Sequence, residues 1–378
     1  MIKKKLSDIS KLINGYAFKS DKYVSSGVRV IRIANVQDGF ISDEQPCFYP
    51  IDCLSYLGEA ILQENDLLMS LTGNVGRVAL LEKEMLPAGL NQRVECIRPN
   101  NEISKEYLYY FFKSNKFKLE AIKNSTGIAQ LNMSTKWLGD YEIPIYDQEI
   151  TSKIISCLST IEKAIKTQEK QLNLLDELIK SRFVEMFSNY KPEKTINEIA
   201  SICRGASPRP ISSFITKDEG ENWIKIGDVG ENDVYITHTA EKVTKAGADR
   251  SRRVKPGDFI LSNSMSFGRP YILGINGCVH DGWLIISNYE KTFEPLFFYY
   301  LLRSEDVQMQ FDGSANGATV RNLNSDLVKK VVVMTPPMHK QKEFVAFAEQ
   351  VDKSKFVVQK RIELYKELLN KKMDEYFN

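Results

Sequence analysis

The stretch LLDELIKSRFVEMF (residues 174–187) returns near the end of the chain as LYKELLNKKMDEYF (364–377). Leu174, Glu177, Leu178, Glu185 and Phe187 recur as Leu364, Glu367, Leu368, Glu375 and Phe377, a constant offset of 190 in a chain of 378 residues. Working outward, more matches appear in the same order. RIANV (32–36) pairs with KIGDV (225–229), and NDLLMSLTGNVGR (65–77) with GDFILSNSMSFGR (257–269). YLYYFFKS (107–114) pairs with FFYYLLRS (297–304), and Leu131-Asn132 with Leu323-Asn324. Pro144 and Gln148 of IPIYDQ fall on Pro337 and Gln341 of TPPMHKQ. Each match is weak alone. Their order makes the chain two copies of one plan.

Each copy is a globular segment followed by a long helix, which sets four expected blocks: 1–147, 148–188, 189–340 and 341–378. VRVIRIANV, DLLMSL, WIKIGDV and DFILSN are short, apolar or β-branched, and bounded by Gly or Asp, so strands are expected. SKEYLYYFFKSNKFKLEAI places aliphatic and aromatic residues on one side of a helix and Lys and Glu on the other. The expected fold class is α+β. Two similar α/β-type domains with mostly antiparallel or mixed sheets are separated by two long helices in a pseudo-twofold repeat. The proline of NYKPEK (189–194) marks the start of the second copy.

From Ile154 the apolar spacing alternates four and three. Ile154, Leu158, Ile161, Ile165, Gln168, Leu172, Leu175, Ile179, Arg182 and Met186 share one seam. Shifted by 190 it reads Phe344, Ala348, Val351, Lys355, Val358, Ile362, Tyr365, Leu369, Lys372 and Tyr376. A 3.5-residue period over more than four heptads specifies a left-handed coiled coil. Two such helices in one chain are expected to pair antiparallel. At 1.5 Å per residue they form a rod of roughly 50 Å with a globular unit at each end. Such a spacer can set the distance between two half-sites on a duplex. Gln168 and Lys355, polar at seam positions, either fix register or snorkel at a loose seam.

Composition is that of a folded soluble protein, with 43% hydrophobic and 26% charged residues and a net charge of +2. No apolar run reaches the roughly 18 residues of a membrane span. MIKKKLSDIS is basic but has no apolar core, so no signal peptide is expected and a cytoplasmic location is. Six cysteines without a CxxC pair, and three histidines, argue against a zinc site.

The repeated plan resembles the specificity (S) subunit of type I restriction-modification systems. The resemblance covers essentially the whole chain. It is carried by the paired openings LSDISKLING (6–15) and INEIA (196–200), by DLLMSLTGNVGR and DFILSNSMSFGR, by the Pro-x-x-x-Gln entries to the long helices, and by the LLDELIKSRF-type helices. It implies that 1–147 and 189–340 are target-recognition domains, each reading half of a bipartite DNA sequence, and that the helices set the spacing. It further implies two modification subunits bound to the helices, carrying S-adenosylmethionine for adenine N6-methylation, and restriction subunits that use ATP and Mg. No cofactor and no metal are expected in this chain, no catalytic residue either, and no membrane partner. NQRVECIRP against HDGWLIISN, and STGIAQLN against SANGATVRNLN, place different residues at equivalent loops. The two half-sites should therefore differ. A coiled-coil adaptor without DNA readout is the alternative.

Enzyme motifs do not hold up. TPPM (335–338) has the shape of the [DN]PP[FYW] loop of adenine methyltransferases, but Thr335 and Met338 stand where the amino-group ligand and the stacking aromatic are needed. GNVGR lacks the GxGxxG and P-loop patterns and fits a tight turn that needs glycine. Base readout favours Arg for guanine and Asn or Gln for adenine. On loops of the first copy the candidates are Asn74, Arg77, Asn91, Gln92, Arg93 and Gln130. In the second they are Ser266, Arg269, His280, Arg321 and Asn322. Arg32 and Lys225, equivalent and expected in strands, are candidate backbone contacts. Arg250, Arg252, Arg253 and Lys255 of DRSRRVK form the densest basic cluster, either a phosphate-contact loop or a solvated turn. Tyr107, Tyr109 and Tyr110 are expected in the core of a helix.

Overall fold

The computed structural model describes residues 2–127, 130–230, 233–263, 268–313 and 323–377. The chain forms two compact units, residues 1–171 with 358–378, and residues 172–357.

Unit 1 opens with β1 (Ile2–Lys5), α1 (Leu6–Ile9), β2 (Ser10–Asn14), β3 (Val28–Ile31), β4 (Phe48–Tyr49) and α2 (Leu54–Leu57). There follow β5 (Leu67–Ser70), β6 (Val78–Leu80), β7 (Ala88–Leu90), β8 (Val94–Pro99), α3 (Lys105–Lys113), α4 (Asn115–Lys123), α5 (Thr135–Asp140) and β9 (Glu142–Ile145). One sheet has the order β2-β8-β5-β6 and is antiparallel; a second has the order β4-β3-β7, with β3 and β7 parallel. Strand β5, LLMS, is buried at every position, as a strand covered on both faces must be. The helix α6 (Gln148–Phe187) runs on for 40 residues.

Unit 2 repeats this plan with β10 (Lys194–Thr195), α7 (Ile196–Ile199), β11 (Ser201–Arg204), β12 (Ile215–Thr216), β13 (Glu221–Ile224), β14 (Tyr235–Ile236) and β15 (Glu241–Val243). Then come α8 (Lys245–Ala248), β16 (Arg252–Val254), β17 (Phe259–Ser262), β18 (Pro270–Leu273), β19 (Gly277–Val279), β20 (Trp283–Ser287), α9 (Pro295–Leu302), α10 (Glu305–Gly313), α11 (Ser325–Lys330), β21 (Val332–Val333) and α12 (Met338–Phe377). The order β11-β20-β17-β18 reproduces the first sheet of unit 1, and β15-β13-β19 the second, again with a parallel pair in the last place. Unit 2 adds β14 to the first sheet and β12 and β16 to the second. The two heads share one topology.

Several local expectations need correction. Strands β3 and β13 stop at Ile31 and Ile224, so Arg32 and Lys225 lie just beyond them. The Asn35 carboxamide accepts the Arg32 N–H at 2.9 Å, and the Asp228 carboxylate accepts the Lys225 N–H at 2.7 Å. These side-chain acceptors turn the chain where apolar composition alone would extend it. The aromatic stretch of unit 1 is two helices, because Ser114 is extended and its hydroxyl caps α4 by accepting from Phe117 N–H. The pairing of Leu131-Asn132 with Leu323-Asn324 is off by two. Met133 and Leu323 are the equivalents: both are buried, and their N–H groups donate to Leu71 and Asn263 carbonyls at 2.8 Å. Ser134 and Asn324 then cap α5 and α11.

The long helices pair within each unit. In unit 1, Glu169 of α6 meets Lys366 of α12 at 3.1 Å. In unit 2, Asp176 meets Lys355 at 2.6 Å and Arg182 meets Glu343 at 3.8 Å. Later positions on α6 meet earlier ones on α12, so the pairing is antiparallel. Ile154, Leu158, Ile161, Ile165, Ile179, Val351, Val358, Ile362 and Leu369 are buried, and Leu172 and Leu175 half-buried. Lys355 is salt-bridged at the seam. At the helix ends the buried stripe moves by one residue, from Arg182 and Met186 to Phe183 and Phe187, and from Lys372 and Tyr376 to Met373 and Phe377. A 3.6-residue helix drifts against a 3.5-residue repeat, and here the drift turns phenylalanines into the heads. Phe187 lies 4.9 Å from the Phe297 ring in unit 2, and Phe377 lies 5.5 Å from Tyr107 and Phe111 in unit 1.

Polar groups fix each helix to its head differently. In unit 1, the hydroxyls of Tyr109 and Tyr110 donate to Glu162 at 2.9 and 3.0 Å, and the Lys113 ammonium donates at 2.7 Å. Burial alone would raise the Glu162 pKa; the Lys113 charge and these donors outweigh it and hold the carboxylate below its ordinary range. In unit 2, the buried Gln341 amide donates to the Thr292 and Pro336 carbonyls at 2.9 and 2.7 Å and accepts the Glu294 N–H at 2.9 Å. Its sequence equivalent Gln148 is exposed. Thr335 sits in this helix entry, with its hydroxyl on Glu193.

Candidate nucleic-acid interface

In unit 1 the candidate loops meet through their backbones. The β5–β6 turn holds GNVGR, with Gly73 and Gly76 at φ of 72° and 79°, a conformation that favours glycine. Its flank joins the β7–β8 loop through Leu71 N–H to the Arg93 carbonyl at 3.1 Å. It joins the segment before α5 through Gly73 N–H to the Leu131 carbonyl at 2.8 Å. Asn91 N–H donates to the Ile31 carbonyl at 3.1 Å, which brings the Arg32 turn alongside. Asn74, Gln92, Arg93 and Gln130 are exposed on these joined loops, and Asn91 is half-buried. Arg77 is aimed by its hydrogen bond to Gln37 at 2.7 Å, and Arg32 by one to the Gln45 carbonyl at 2.8 Å.

The unit 2 candidates are more divided. Ser266, Arg321 and Asn322 lie outside the described residues. Gly268, at φ 69°, repeats the turn glycine Gly76, and the Arg269 side chain is hydrogen-bonded to Tyr271. Lys225 is salt-bridged to Glu241 at 2.6 Å. The basic cluster is split: Arg250 lies in the turn after α8, and Arg252 and Arg253 lie in β16. Arg253 is neutralised by Glu221 and Asp249 at 2.8 and 2.9 Å, and Arg250 packs over the Phe214 ring at 5.3 Å. Arg252 is exposed opposite Val279, next to His280.

His280, Asp281 and Gly282 occupy the place of Asn91, Gln92 and Arg93. The Asp281 carboxylate accepts from the Ser207 hydroxyl at 2.6 Å and from Arg209 at 3.2 Å. The Ser207 hydrogen bond leads the causes that hold its pKa below the ordinary range. Its carbonyl accepts from Arg204 at 2.7 Å. Sequence reasoning missed Arg209 and Gly282. The matched glycines Gly15 and Gly205 are the signal that locates both, because they lie against this loop. A Cβ on Gly15 would stand 2.2 Å from the Asn91 carbonyl, and one on Gly205 would stand 2.1 Å from the His280 carbonyl oxygen. Gly205→Ala is therefore expected to displace the His280 loop and destabilise unit 2 by about 1–3 kcal/mol, with unit 1 unaffected. Hydrogen exchange of the β19–β20 amides checks it.

Among the described residues no cluster of His, Cys, Asp or Glu could hold a metal ion, and no helix is long and apolar enough to cross a membrane.

Two units that repeat one sheet order, each holding a pair of long antiparallel helix segments, define an internally duplicated class of protein. The type I restriction modification DNA specificity domain matches twice, over residues 1–177 and 188–366, and the chain belongs to that family. It is 32% identical over 187 residues to the specificity subunit of the type I restriction enzyme EcoAI of Escherichia coli, covering 46% of this chain and 32% of that protein. It thus spans about a third of that relative's length. With the putative MjaX specificity subunit of Methanocaldococcus jannaschii it shares 26% identity over 395 residues, covering 92% of this chain and 86% of the relative. The fold is also that of a chain from a type I R-M system solved to explain complex assembly and conformational transition, with a TM-score of 0.60, 15% identity, and coverage of 100% and 97%.

Proposed function

We infer that this chain is the non-catalytic subunit that selects the DNA target of a type I restriction-modification complex. Each head reads one half of a bipartite, asymmetric sequence. The helix pair sets the spacer and docks two modification subunits, and restriction subunits join that assembly. S-adenosylmethionine, ATP and Mg belong to those partners, and the complex works in the cytoplasm. One observation carries the reading: the same scaffold occurs twice with different side chains at the same loop, Asn91-Gln92-Arg93 in one head and His280-Asp281-Gly282 in the other.

Exchanging residues 204–340 for the equivalent segment of another family member tests it. Mapping of methylated adenines in a host carrying the hybrid with its modification subunits is expected to show one altered half-site and one unchanged. Alteration of both halves, or of neither, counts against two independent readers.

A further inference from the structure

Beside the β19–β20 loop of unit 2 is an open pocket walled by Arg209, Trp223, Lys225, His280 and Asp281. Two of its side chains are arranged as donors. The His280 Nδ1 accepts the Gly282 N–H at 2.8 Å, so the neutral ring carries its proton on Nε2. That Nε2–H has no partner among the described residues. The imidazole is fixed by the neighbouring rings of Trp223 and Trp283, at 6.3 and 6.0 Å. Burial lowers its pKa against the opposing charges of Asp281 and Asp228, with Lys225 adding to the burial, so the ring is neutral at physiological pH. Gly282 makes this possible: a Cβ there would stand 2.3 Å from the His280 ring. The second donor is Arg209. One of its nitrogens rests on Asp281 at 3.2 Å, while the side chain is 78% exposed. A guanidinium buttressed on one side keeps its other N–H groups aimed and free.

Two donors on the wall of one pocket, whose carboxylate Asp281 is already engaged by Ser207 and Arg209, suit a base edge that offers two acceptors. In the major groove guanine alone presents two acceptors, N7 and O6; thymine presents O4 beside a methyl group, and adenine and cytosine present an amino donor. Lys225 does not change this balance, since its charge is met by Glu241. We propose that this pocket reads a guanine in the half-site of unit 2, with Arg209 and the His280 Nε2–H donating to O6 and N7. Asp281 is a positioning residue that holds Arg209, and Gly282 one that admits the His280 ring. The inference rests on the specificity reading above and adds the base and the groups that read it. Unit 1 has no such pocket chemistry at this loop, because Arg93 takes the place of Gly282 and amides take the places of His280 and Asp281.

The test uses the full chain assembled with its modification subunits. Binding is measured at fixed salt to duplexes carrying each of the four base pairs at every position of the unit 2 half-site. Wild type is expected to require guanine at one position. Arg209→Ala should lose about 5- to 150-fold of discrimination at that position alone. His280→Ala and Gly282→Ala should lose discrimination at the same position, and Asp281→Asn should give a smaller loss there. Discrimination kept in both Arg209→Ala and His280→Ala overturns the proposal. So does a uniform weakening at every sequence with a shallower salt dependence, which marks a phosphate contact. If wild type shows sequence preference but no guanine requirement in this half-site, the proposal falls and the specificity reading stands. If wild type shows no sequence preference at all, both fall.

Discussion

Glu162→Ala is expected to loosen unit 1 while leaving unit 2 intact. The carboxylate is the common acceptor for Tyr109, Tyr110 and Lys113, and the Lys113 side chain is only 11% exposed. Truncation strands a buried ammonium and two buried hydroxyls. Removing one partner of a buried ion pair costs about 3–5 kcal/mol, because the remaining charge stays desolvated. For a unit of this size that lowers the melting transition by roughly 6–20 °C. Calorimetry with hydrogen exchange localised to α3 and α6 separates this from any effect on unit 2. The pH dependence has a fixed sign. The folded pKa of Glu162 lies below its unfolded value of 4.5, so its contribution is complete above that value and is lost as pH falls through the folded pKa. The variant should lack this acid-side loss.

Glu95→Leu should act in the opposite direction. Glu95 lies in β8 opposite Met69, is fully buried, and neither carboxyl oxygen has a partner. Burial pushes its pKa up to about 7, from 4.5. The folded state therefore holds a proton that the unfolded state has released between those values, and stability falls as pH rises through that window. A shift of this size corresponds to roughly 3 kcal/mol at pH 8. The equivalent position in unit 2 is Leu284, buried opposite Leu261, so the plan accommodates leucine there. The variant is expected to stabilise unit 1 by about 3 kcal/mol at pH 8 and to flatten its stability between pH 5 and 7. Chemical denaturation across that range, followed in unit 1, is the measurement. Loss of stability at pH 8 would mean that the carboxylate has a partner in solution.

The repeat was legible because it is written in residue identities at a nearly fixed offset, and the helix seam because its period holds until the last turns, where the buried stripe shifts by one residue. What failed to show was governed by single side-chain acceptors. Asn35 and Asp228 end strands that composition would continue, and Ser114 breaks a helix that amphipathicity would join. The register slip at Leu323 has the same cause: Ser134 and Asn324 serve equally as caps, so identity matching locked onto the wrong asparagine. In unit 1 the candidate residues lie on loops that the backbone joins. In unit 2 the basic cluster is partly engaged within the fold, through Arg253 and Arg250. Arg209 was passed over because its meaning comes from Asp281, 72 positions away.

The insertion of Phe377 between Tyr107 and Phe111 has a consequence for biosynthesis. Unit 2 is one continuous stretch, 172–357, whereas unit 1 joins 1–171 to 358–378. A ribosome therefore delivers every residue of the second head before the piece that completes the first. The head translated first is the last to close, and until then its Tyr107 and Phe111 rings lack their cover. A premature stop after residue 357 would thus injure the amino-terminal unit and spare the one beside the lesion.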